Sequence, residues 1–301
     1  MQRDNLQAGS GPDPHPRRPA FRAPAGTVDC HAHVFGPRSR YPYAPERSYT
    51  PVESPLEQYV AMLDALGIDR AVLVQGSPQG TDNRIVLDAI ASAPQRFRGI
   101  AVVAAAISDR ELEALDRGGI RGIRMSDTMV PGTPLALMET FADRVRPLGW
   151  HLQLHLGGCD DLIPLAPRIE RLKVPIVVDH MASVTADDGP DAAGFARLGA
   201  LMRDFDHVWA KVAAFYRRSR LGPPYADMRE MARVLARTRG ERVIWGTNWP
   251  HPVGNGVSPN DGDLLDLVAD WFPEEQLQRH ILVENPQQLF GFPPVPDGTE
   301  A

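Results

Sequence analysis

Residues 27–35 read TVDCHAHVF and form the first apolar run of the sequence. Its two histidines, His31 and His33, stand two positions apart, and residues two apart in a β-strand point to the same face of the sheet. Each imidazole carries polar nitrogens, so two of them side by side in a sheet interior need a partner. A metal ion or an anionic substrate would supply one. The run is therefore expected to lead into a functional site.

Seven further apolar runs follow, and they are typical of strands that are buried on both faces of a parallel sheet. The eight predicted strands cover residues 27–33, 70–75, 98–103, 121–125, 150–156, 175–180, 207–212 and 242–247. Helical patterns separate them, at residues 55–66, 82–93, 109–117, 134–147, 161–171, 191–204, 226–239 and 261–271. Eight strands alternating with eight helices over about 250 residues predict an α/β protein with a (β/α)8 TIM barrel. A doubly wound open sheet is the alternative.

The composition is that of an ordinary globular protein, with 43% hydrophobic residues, 23% charged residues and a net charge of −6. This balance gives no reason to expect nucleic acid or a membrane as a partner, and no apolar stretch reaches the roughly 18 residues that span a bilayer. The two cysteines, Cys30 and Cys159, lie far apart. Their spacing argues against a disulfide scaffold and favours a reducing, cytoplasmic environment. An oligomeric state is not indicated.

Three segments are expected along the chain. Residues 1–25 are rich in proline and arginine, and we expect a flexible arm that is either disordered or extended over the surface. Residues 26–292 are expected to form the barrel. Residues 293–301 are expected to form a second short tail, which begins with another proline-rich stretch.

Histidines collect at the carboxyl ends of the predicted strands, where barrels of this kind carry their chemistry. His31 and His33 end the first strand, His155 ends the fifth and His180 ends the sixth. Random placement would not select this rim so well, so a site is expected there. Imidazoles from these three strands can converge on a single zinc or manganese ion and leave one position for water. The predicted metal ligands are His31, His33, His155 and His180.

Other residues near the same rim are candidates for binding a substrate. The predicted substrate-binding residues are Tyr49, Ser77, Arg124, His155 and Arg217. Arg124 ends the fourth strand and can pair with a carboxylate through two parallel hydrogen bonds. Its alternative role is a structural ion pair with Asp127 or with another carboxylate of a loop. Asp179 precedes His180, is expected to point away from it, and is interpreted as structural.

At this point the chain resembles the amidohydrolase superfamily. The resemblance rests on the His-x-His of the first strand, the histidines of the fifth and sixth strands, and two strings, GTNWPHP at 246–252 and ENPQQLFGF at 284–292. More narrowly, the chain looks like the 2-pyrone-4,6-dicarboxylate lactonases, on the strings HVFGP at 33–37, GTDN at 80–83, RGIR at 121–124, VDHM at 178–181 and VIWGT at 243–247. The similarity covers residues 25–292. It implies a hydrolase of a carboxylated lactone, its small-molecule partner.

The resemblance implies a catalytic set with one departure. That set is His31, His33, His180, Asn248 and His251. The superfamily usually has an aspartate after the eighth strand, which activates the hydrolytic water, whereas this chain has Asn248. An amide cannot act as a general base. A metal-bound hydroxide or His180 would then take the proton, while the histidines polarise the carbonyl with or without one divalent metal.

Three alternatives to lactone hydrolysis stay open. A sugar-acid lactone isomerase moves an acyl group between hydroxyls and needs no hydrolytic water. Loss of the aspartate would suppress the competing hydrolysis. An amidohydrolase-type decarboxylase ranks lower, because that branch generally relies on the aspartate. A barrel that binds a lactone or an acid without catalysis would show thermal stabilisation by the ligand without turnover.

Overall fold

The computed structural model describes residues 9–253 and 258–295, and it confirms the predicted (β/α)8 barrel. Eight strands form one sheet in chain order, and each of them pairs in parallel with the next. The strands are β1 (Val28–Ala32), β2 (Arg70–Val74), β3 (Phe97–Ala101), β4 (Ile120–Met125), β5 (His151–Leu154), β6 (Ile176–Val178), β7 (Val208–Val212) and β8 (Val243–Trp245). Every predicted strand is present, usually a little shorter than expected.

Helices cover the outside of the sheet and close one end of the barrel. They are α1 (Leu56–Leu66), α2 (Arg84–Ser92), α3 (Asp109–Arg117), α4 (Met138–Val145), α5 (Leu162–Ile169), α6 (Ala193–Asp204), α7 (Arg229–Arg239), α8 (Asp261–Trp271), α9 (Glu275–Arg279) and α10 (Asn285–Phe290). Phe290 of α10 packs with Val28, Val72 and Ile244 inside the barrel. This helix therefore plugs the amino end of the strands and leaves the carboxyl end for the site. Within the described residues, no helix is long and apolar enough to cross a membrane.

β1 holds one residue more than its neighbour over the same stretch. Asp29 pairs with Ala71 of β2, whereas Ala32 pairs with Leu73, so three steps in β1 match two in β2. A β-bulge of this kind re-aims the side chains that follow it. The two histidines of the opening motif lie at and just after this bulge, with ring centroids 5.0 Å apart.

The barrel closes through the turn that follows β8. The backbone N–H of Asn248 donates to the carbonyl of His31 at 2.8 Å, and the N–H of His33 donates to the carbonyl of Trp249 at 2.7 Å. The buried carboxylate of Asp29 reinforces this closure. It accepts hydrogen bonds from the backbone N–H of His31 and from three other donors, namely the hydroxyl and the N–H of Thr247 and the Tyr59 hydroxyl. The same carboxylate thus ties β1, α1 and the β8 turn together.

The amino-terminal arm lies extended over α8. The guanidinium of Arg17 forms ion pairs with Asp263 and Asp266, and the N–H of Phe21 donates to Asp266 at 2.7 Å. At its start, Gly9 donates to the carbonyl of Pro252, beside the β8 turn. Residues 1–8 of the predicted arm and residues 296–301 of the predicted tail lie outside the described residues.

We expect Asp29→Asn to destabilise the fold by about 3 kcal/mol or more. Each carboxylate oxygen accepts two of the four hydrogen bonds, so an amide turns its NH2 group toward two donors, and each buried donor left unpaired costs about 1–3 kcal/mol. Tyr59→Phe removes a single hydrogen bond and should cost about 1 kcal/mol. Chemical denaturation monitored by circular dichroism measures both free energies of unfolding. Equal stability of the Asp29→Asn variant and the wild type would refute the role of this carboxylate.

Candidate active site

Four histidines form one buried cluster at the carboxyl end of the barrel. The rings of His31 and His180 have centroids 4.7 Å apart, and those of His155 and His180 lie 5.6 Å apart. His33 joins the group through its contact with His31. All four side chains are at most 5% exposed. The structure thus brings together the four strand-end histidines that the sequence singles out.

An unusual backbone turn places His180 in this cluster. β6 ends at Val178, and the four residues from His180 to Ser183 have positive φ angles between 53° and 60°. Left-handed backbone is rare for residues with a side chain, and it occurs where the surrounding structure imposes it. The turn leaves both Asp179 and His180 buried beside His31. Asp179 therefore belongs to the site, although the sequence suggested a structural residue that points away.

Asp179 is the centre of a buried charge network. Its Oδ1 lies 3.1 Å from Nζ of Lys211 and its Oδ2 accepts a hydrogen bond from Gln153 at 3.0 Å. Nζ of Lys211 also contacts Oε1 of Gln153 at 2.7 Å and Nδ1 of His31 at 3.2 Å. Burial raises the pKa of Asp179, but Lys211 and His31 outweigh that effect and hold the pKa well below its usual range. The carboxylate is thus ionised and Lys211 is its counterion.

Lys211 was not among the predicted site residues, although the sequence holds a signal for it. It is one of only two lysines in the chain, and it stands in the apolar strand HVWAKV. Trp209, two positions earlier, packs inside the barrel, so the strand alternation places Lys211 on the same inner face. A lysine on an inner face, fully buried here, requires a negative partner. That reasoning leads to Asp179.

Burial keeps the clustered histidines neutral. It lowers the pKa of His31 to about 4, with Lys211 adding to the effect, and it lowers the pKa values of His33, His155 and His180 well below their usual value. Because an ammonium can only donate, Nδ1 of His31 is an acceptor and its proton lies on Nε2. Nδ1 of His33 faces the carbonyl of Val74 at 2.8 Å, so that nitrogen carries the proton. His31 is thus poised to donate a hydrogen bond from Nε2, and His33 to accept one there.

The residues present do not fit a divalent metal ion. His31, Asp179 and His180 place possible ligand atoms within 4.8 Å of one another. The ammonium of Lys211, however, already contacts Nδ1 of His31 and Oδ1 of Asp179, and a second cation beside it would be repelled. The four predicted metal ligands cluster, but the ligand atoms that lie close enough to share one ion belong to His31, Asp179 and His180. Nδ1 of His33 is held by a backbone carbonyl, and Nδ1 of His155 lies 3.1 Å from the hydroxyl of Ser126.

Cationic side chains face this cluster with few anions to balance them. Arg124 is buried, its side chain makes no hydrogen bond within the described residues, and its Nε lies 3.9 Å from Oδ2 of Asp179. Of the two alternative partners for Arg124, Asp127 forms no ion pair with it within the described residues and accepts from the N–H of Leu135. A carboxylate in the turn after β6, that of Asp179, is the one that Arg124 approaches. Arg124 and Lys211 therefore share one carboxylate, which leaves a net positive charge for an anionic ligand.

The other predicted substrate-binding residues lie near these charges. Tyr49 is buried, and burial raises its pKa to about 12 against the opposing charges of Arg124 and Arg217. Arg217 lies in the short turn Phe215–Arg217 after β7, where its side chain makes no hydrogen bond to the described part of the chain. Ser77 begins the short 3-10 turn Ser77–Gln79 after β2 and is also buried.

The turn after β8 carries a second hydrogen-bonded chain. Nδ2 of Asn248 donates to the hydroxyl of Tyr216 at 2.8 Å, and that hydroxyl lies 2.8 Å from Nδ1 of His251. Nε2 of His251 lies 3.2 Å from Oδ1 of Asp261, the first residue of α8. Asn248 and His251 both have positive φ angles, of 62° and 59°. The sequence indicated Asn248 and His251, but not Tyr216 or Asp261 as their partners.

Comparisons with known proteins cover the whole barrel. A family model described as amidohydrolase matches residues 28–292. The chain is 38% identical over 286 residues to a 2-pyrone-4,6-dicarboxylate hydrolase from Comamonas testosteroni, covering 92% of this chain and 93% of that protein. It is 31% identical over 285 residues to a D-galactarolactone isomerase from Agrobacterium fabrum, covering 92% and 94%.

A solved structure matches in the same way. It is described as a probable 2-pyrone-4,6-dicarboxylic acid hydrolase from Acinetobacter baumannii with citric acid bound. Its TM-score is 0.79 at 28% identity, and the match covers 89% of this chain and all of that one. The likeness therefore extends from the sequence to the three-dimensional arrangement of the barrel.

We expect Lys211→Ala to create a zinc site that the wild type lacks. The substitution removes the ammonium and frees Nδ1 of His31 and Oδ1 of Asp179 for a metal. At a zinc concentration about 100 times the dissociation constant, binding would stabilise the variant by about 2.7 kcal/mol. Thermal unfolding with and without zinc measures this. Lys173→Ala, at the exposed second lysine, is the matched control, and equal zinc responses in all three proteins would show that Lys211 does not exclude the metal.

Proposed function

Because the chain belongs to the amidohydrolase family, we propose that it is a hydrolase of a carboxylated lactone. The observation that carries the proposal is the buried guanidinium of Arg124, which lacks a hydrogen-bond partner among the described residues. Its charge acts on three neutral histidines, His31, His33 and His155. A desolvated guanidinium is a strong, oriented binding group for a carboxylate. The neutral imidazoles beside it suit a lactone carbonyl.

The relatives support the same class of substrate. One of them is named a hydrolase of 2-pyrone-4,6-dicarboxylate, which is both a lactone and a dicarboxylate. The matching crystal structure holds citric acid, a molecule with three carboxyl groups. A pyrone dicarboxylate or a sugar-acid lactone is therefore the substrate class that we propose for this chain.

The proposed mechanism assigns different tasks to the two halves of the site. Arg124, with Arg217 and Tyr49, holds the substrate carboxylate. The Nε2–H of His31 donates to the lactone carbonyl and stabilises the oxyanion that forms when the nucleophile adds. Nε2 of His33 accepts a hydrogen bond from the nucleophile and orients it. His180 is the remaining polar side chain beside the carbonyl. The positive charge of Lys211, held by Asp179, favours the developing negative charge without a metal ion.

A sugar-acid lactone isomerase is the second candidate, and Asn248 is the observation that favours it. Without a carboxylate at this position, water has no strong base beside it, whereas a hydroxyl of the substrate is already held next to its own carbonyl. The Agrobacterium relative is named D-galactarolactone isomerase, which is consistent with this reading. Hydrolysis and isomerisation share the carboxylate anchor and the polarised carbonyl, and differ only in the attacking oxygen.

We expect Arg124→Met to raise the KM for a carboxylated lactone about 10- to 100-fold, because hydrogen bonds to charged groups contribute about 1.5–3 kcal/mol. Steady-state assays on a panel of pyrone and sugar-acid lactones measure it. Arg121→Met is the control, since Arg121 lies on the same strand but pairs with Asp116. Unchanged kinetics in the Arg124 variant would refute the anchor. Ligand-induced stabilisation without turnover would identify a binding barrel instead.

Asn248→Asp separates the two candidate reactions. If the chain is a hydrolase, its rate of acid release should change less than about tenfold, because another group already handles the proton. If it is an isomerase, acid release should rise by about 100- to 10,000-fold, the usual contribution of a general base. Titration of released acid, together with NMR of ring size, distinguishes the products. Ring-size isomers without open acid from the wild type would reject hydrolysis.

A further inference from the structure

The chain that links Asn248, Tyr216, His251 and Asp261 has no role in the mechanism so far. Asp261 is fully buried and His251 is 2% exposed. Nε2 of His251 lies 3.2 Å from Oδ1 of Asp261 without hydrogen-bond alignment, and neither that nitrogen nor the two carboxylate oxygens have a hydrogen-bond partner in the described part of the chain. Burying an unpartnered carboxylate is costly, so this acid requires the N–H of the imidazole. The charge of this carboxylate therefore favours the tautomer of His251 with its proton on Nε2, the ring nitrogen beside Asp261.

This pairing sets the direction of every other hydrogen bond in the chain. With its proton on Nε2, a neutral His251 has a free lone pair on Nδ1, which accepts the hydroxyl proton of Tyr216 at 2.8 Å. The Tyr216 oxygen accepts in turn from Nδ2 of Asn248 at 2.8 Å and keeps a second lone pair. The order is a group at the site, an imidazole base and an orienting carboxylate, as in the triads that activate nucleophiles.

We propose that Tyr216, His251 and Asp261 form the proton relay that serves the reacting oxygens of the lactone. The inference rests on the proposed function and supplies the base that Asn248 cannot provide. The attacking O–H gives its proton to the Tyr216 oxygen while the proton of Tyr216 moves to Nδ1 of His251. The new C–O bond forms in the same step, and the imidazolium is stabilised by Asp261.

The return of the proton completes the reaction. When the ring C–O bond breaks, Tyr216 gives a proton to the departing ring oxygen and recovers one from Nδ1 of His251. No proton is gained or lost overall. Attacking water can donate one O–H to Nε2 of His33 and give the other proton to Tyr216, whereas an attacking substrate hydroxyl gives its only proton to Tyr216. Tyr216 is the catalytic residue in this scheme. His251 and Asp261 act through it.

The lumen histidines are weaker candidates for this task. A proton on Nε2 of His33 would be opposed by burial and by the positive charge of Arg124, which together hold the pKa of His33 well below its usual value. His180 faces Arg217, and its neighbouring carboxylate already belongs to Lys211. His251, in contrast, has Asp261 largely to itself. An imidazole that takes up a proton during the reaction is best stabilised where an unshared carboxylate faces it.

Asn248 has a positive role in this scheme. As an amide it donates to Tyr216 and leaves the hydroxyl proton of Tyr216 free to point at His251. An aspartate at this position would accept that proton instead and compete with His251 for it. Asn248 thus takes the place of the usual aspartate base and also orients the hydroxyl of Tyr216, the first group of the proposed relay.

The test compares Tyr216→Phe, His251→Gln and Asp261→Asn with Tyr225→Phe. Tyr225 lies in the same aromatic cluster, with its ring centroid 6.4 Å from that of Tyr216, but its hydroxyl is outside the hydrogen-bonded chain. With the best lactone of the panel, Tyr216→Phe should lower kcat about 100- to 1,000-fold and change KM less than about threefold. Tyr225→Phe should keep kcat within about threefold of the wild type. Melting temperatures report whether each variant is folded.

Two further readouts separate a relay from a structural role. The double variant Tyr216→Phe/His251→Gln should be no slower than Tyr216→Phe alone, because residues that act as one unit are not additive. Nitrogen-15 NMR of histidine-labelled wild type, with His251 assigned from the His251→Gln variant, should show a neutral ring protonated on Nε2. Additive losses, a Tyr216→Phe kcat near that of the wild type, or a His251 ring protonated on Nδ1 would each overturn the relay.

The same design keeps this inference distinct from the proposed function. If the wild type turns over no lactone, the proposed function fails, and the NMR tautomer alone decides whether Tyr216 donates to His251. If the wild type and Tyr216→Phe are equally active on lactones, the proposed function is supported and the relay is rejected.

Discussion

The buried pair of Asp179 and Lys211 is the interaction on which the chemistry of the barrel depends. An ionised carboxylate in the lumen is tolerated only with a cation in contact, and the ammonium of β7 supplies it at 3.1 Å. Because that ammonium also donates to Nδ1 of His31, it fixes the tautomer of the first histidine of the opening motif. The same charge occupies the space between donors that would otherwise suit a metal. One lysine thus turns a potential metal centre into a preorganised hydrogen-bonding site.

Because Lys211 and burial keep the lumen histidines neutral, the proposed reaction needs a second, separate group of residues that can take up a proton. The four lumen histidines are held neutral by burial and by nearby positive charge, so they can donate or accept hydrogen bonds but take up protons reluctantly. Stabilising an oxyanion and accepting a proton make opposite electrostatic demands. The barrel separates them in space, with cations around the carbonyl and the carboxylate of Asp261 behind His251.

The sequence was sufficient to predict the fold and the position of the site, because both depend on patterns that repeat along the chain. Alternating apolar runs and helical segments predict the barrel, and strand-end histidines such as His155 predict which end of it gathers polar side chains. The site residues that the sequence did not predict depend on contacts across the barrel, and no local sequence pattern reveals such contacts. Strict alternation predicts that Asp179 and His180 diverge, and only the left-handed turn at His180 brings them together. Lys211 has a signal in its strand, but its partner lies one strand away.

The same distinction applies to Asn248. Considered alone, Asn248 means only that the usual general base is absent. From the sequence, this fits either a weakened hydrolase or an isomerase. In the folded barrel its amide faces Tyr216, and the backbone N–H of the same residue closes the sheet on His31. A substitution here therefore changes the polarity of a hydrogen-bonded chain that ends at His251, beside the buried carboxylate of Asp261. The effect of the amide depends on the group beside it. Next to Tyr216 an amide can donate a hydrogen bond, whereas an ionised carboxylate can only accept one.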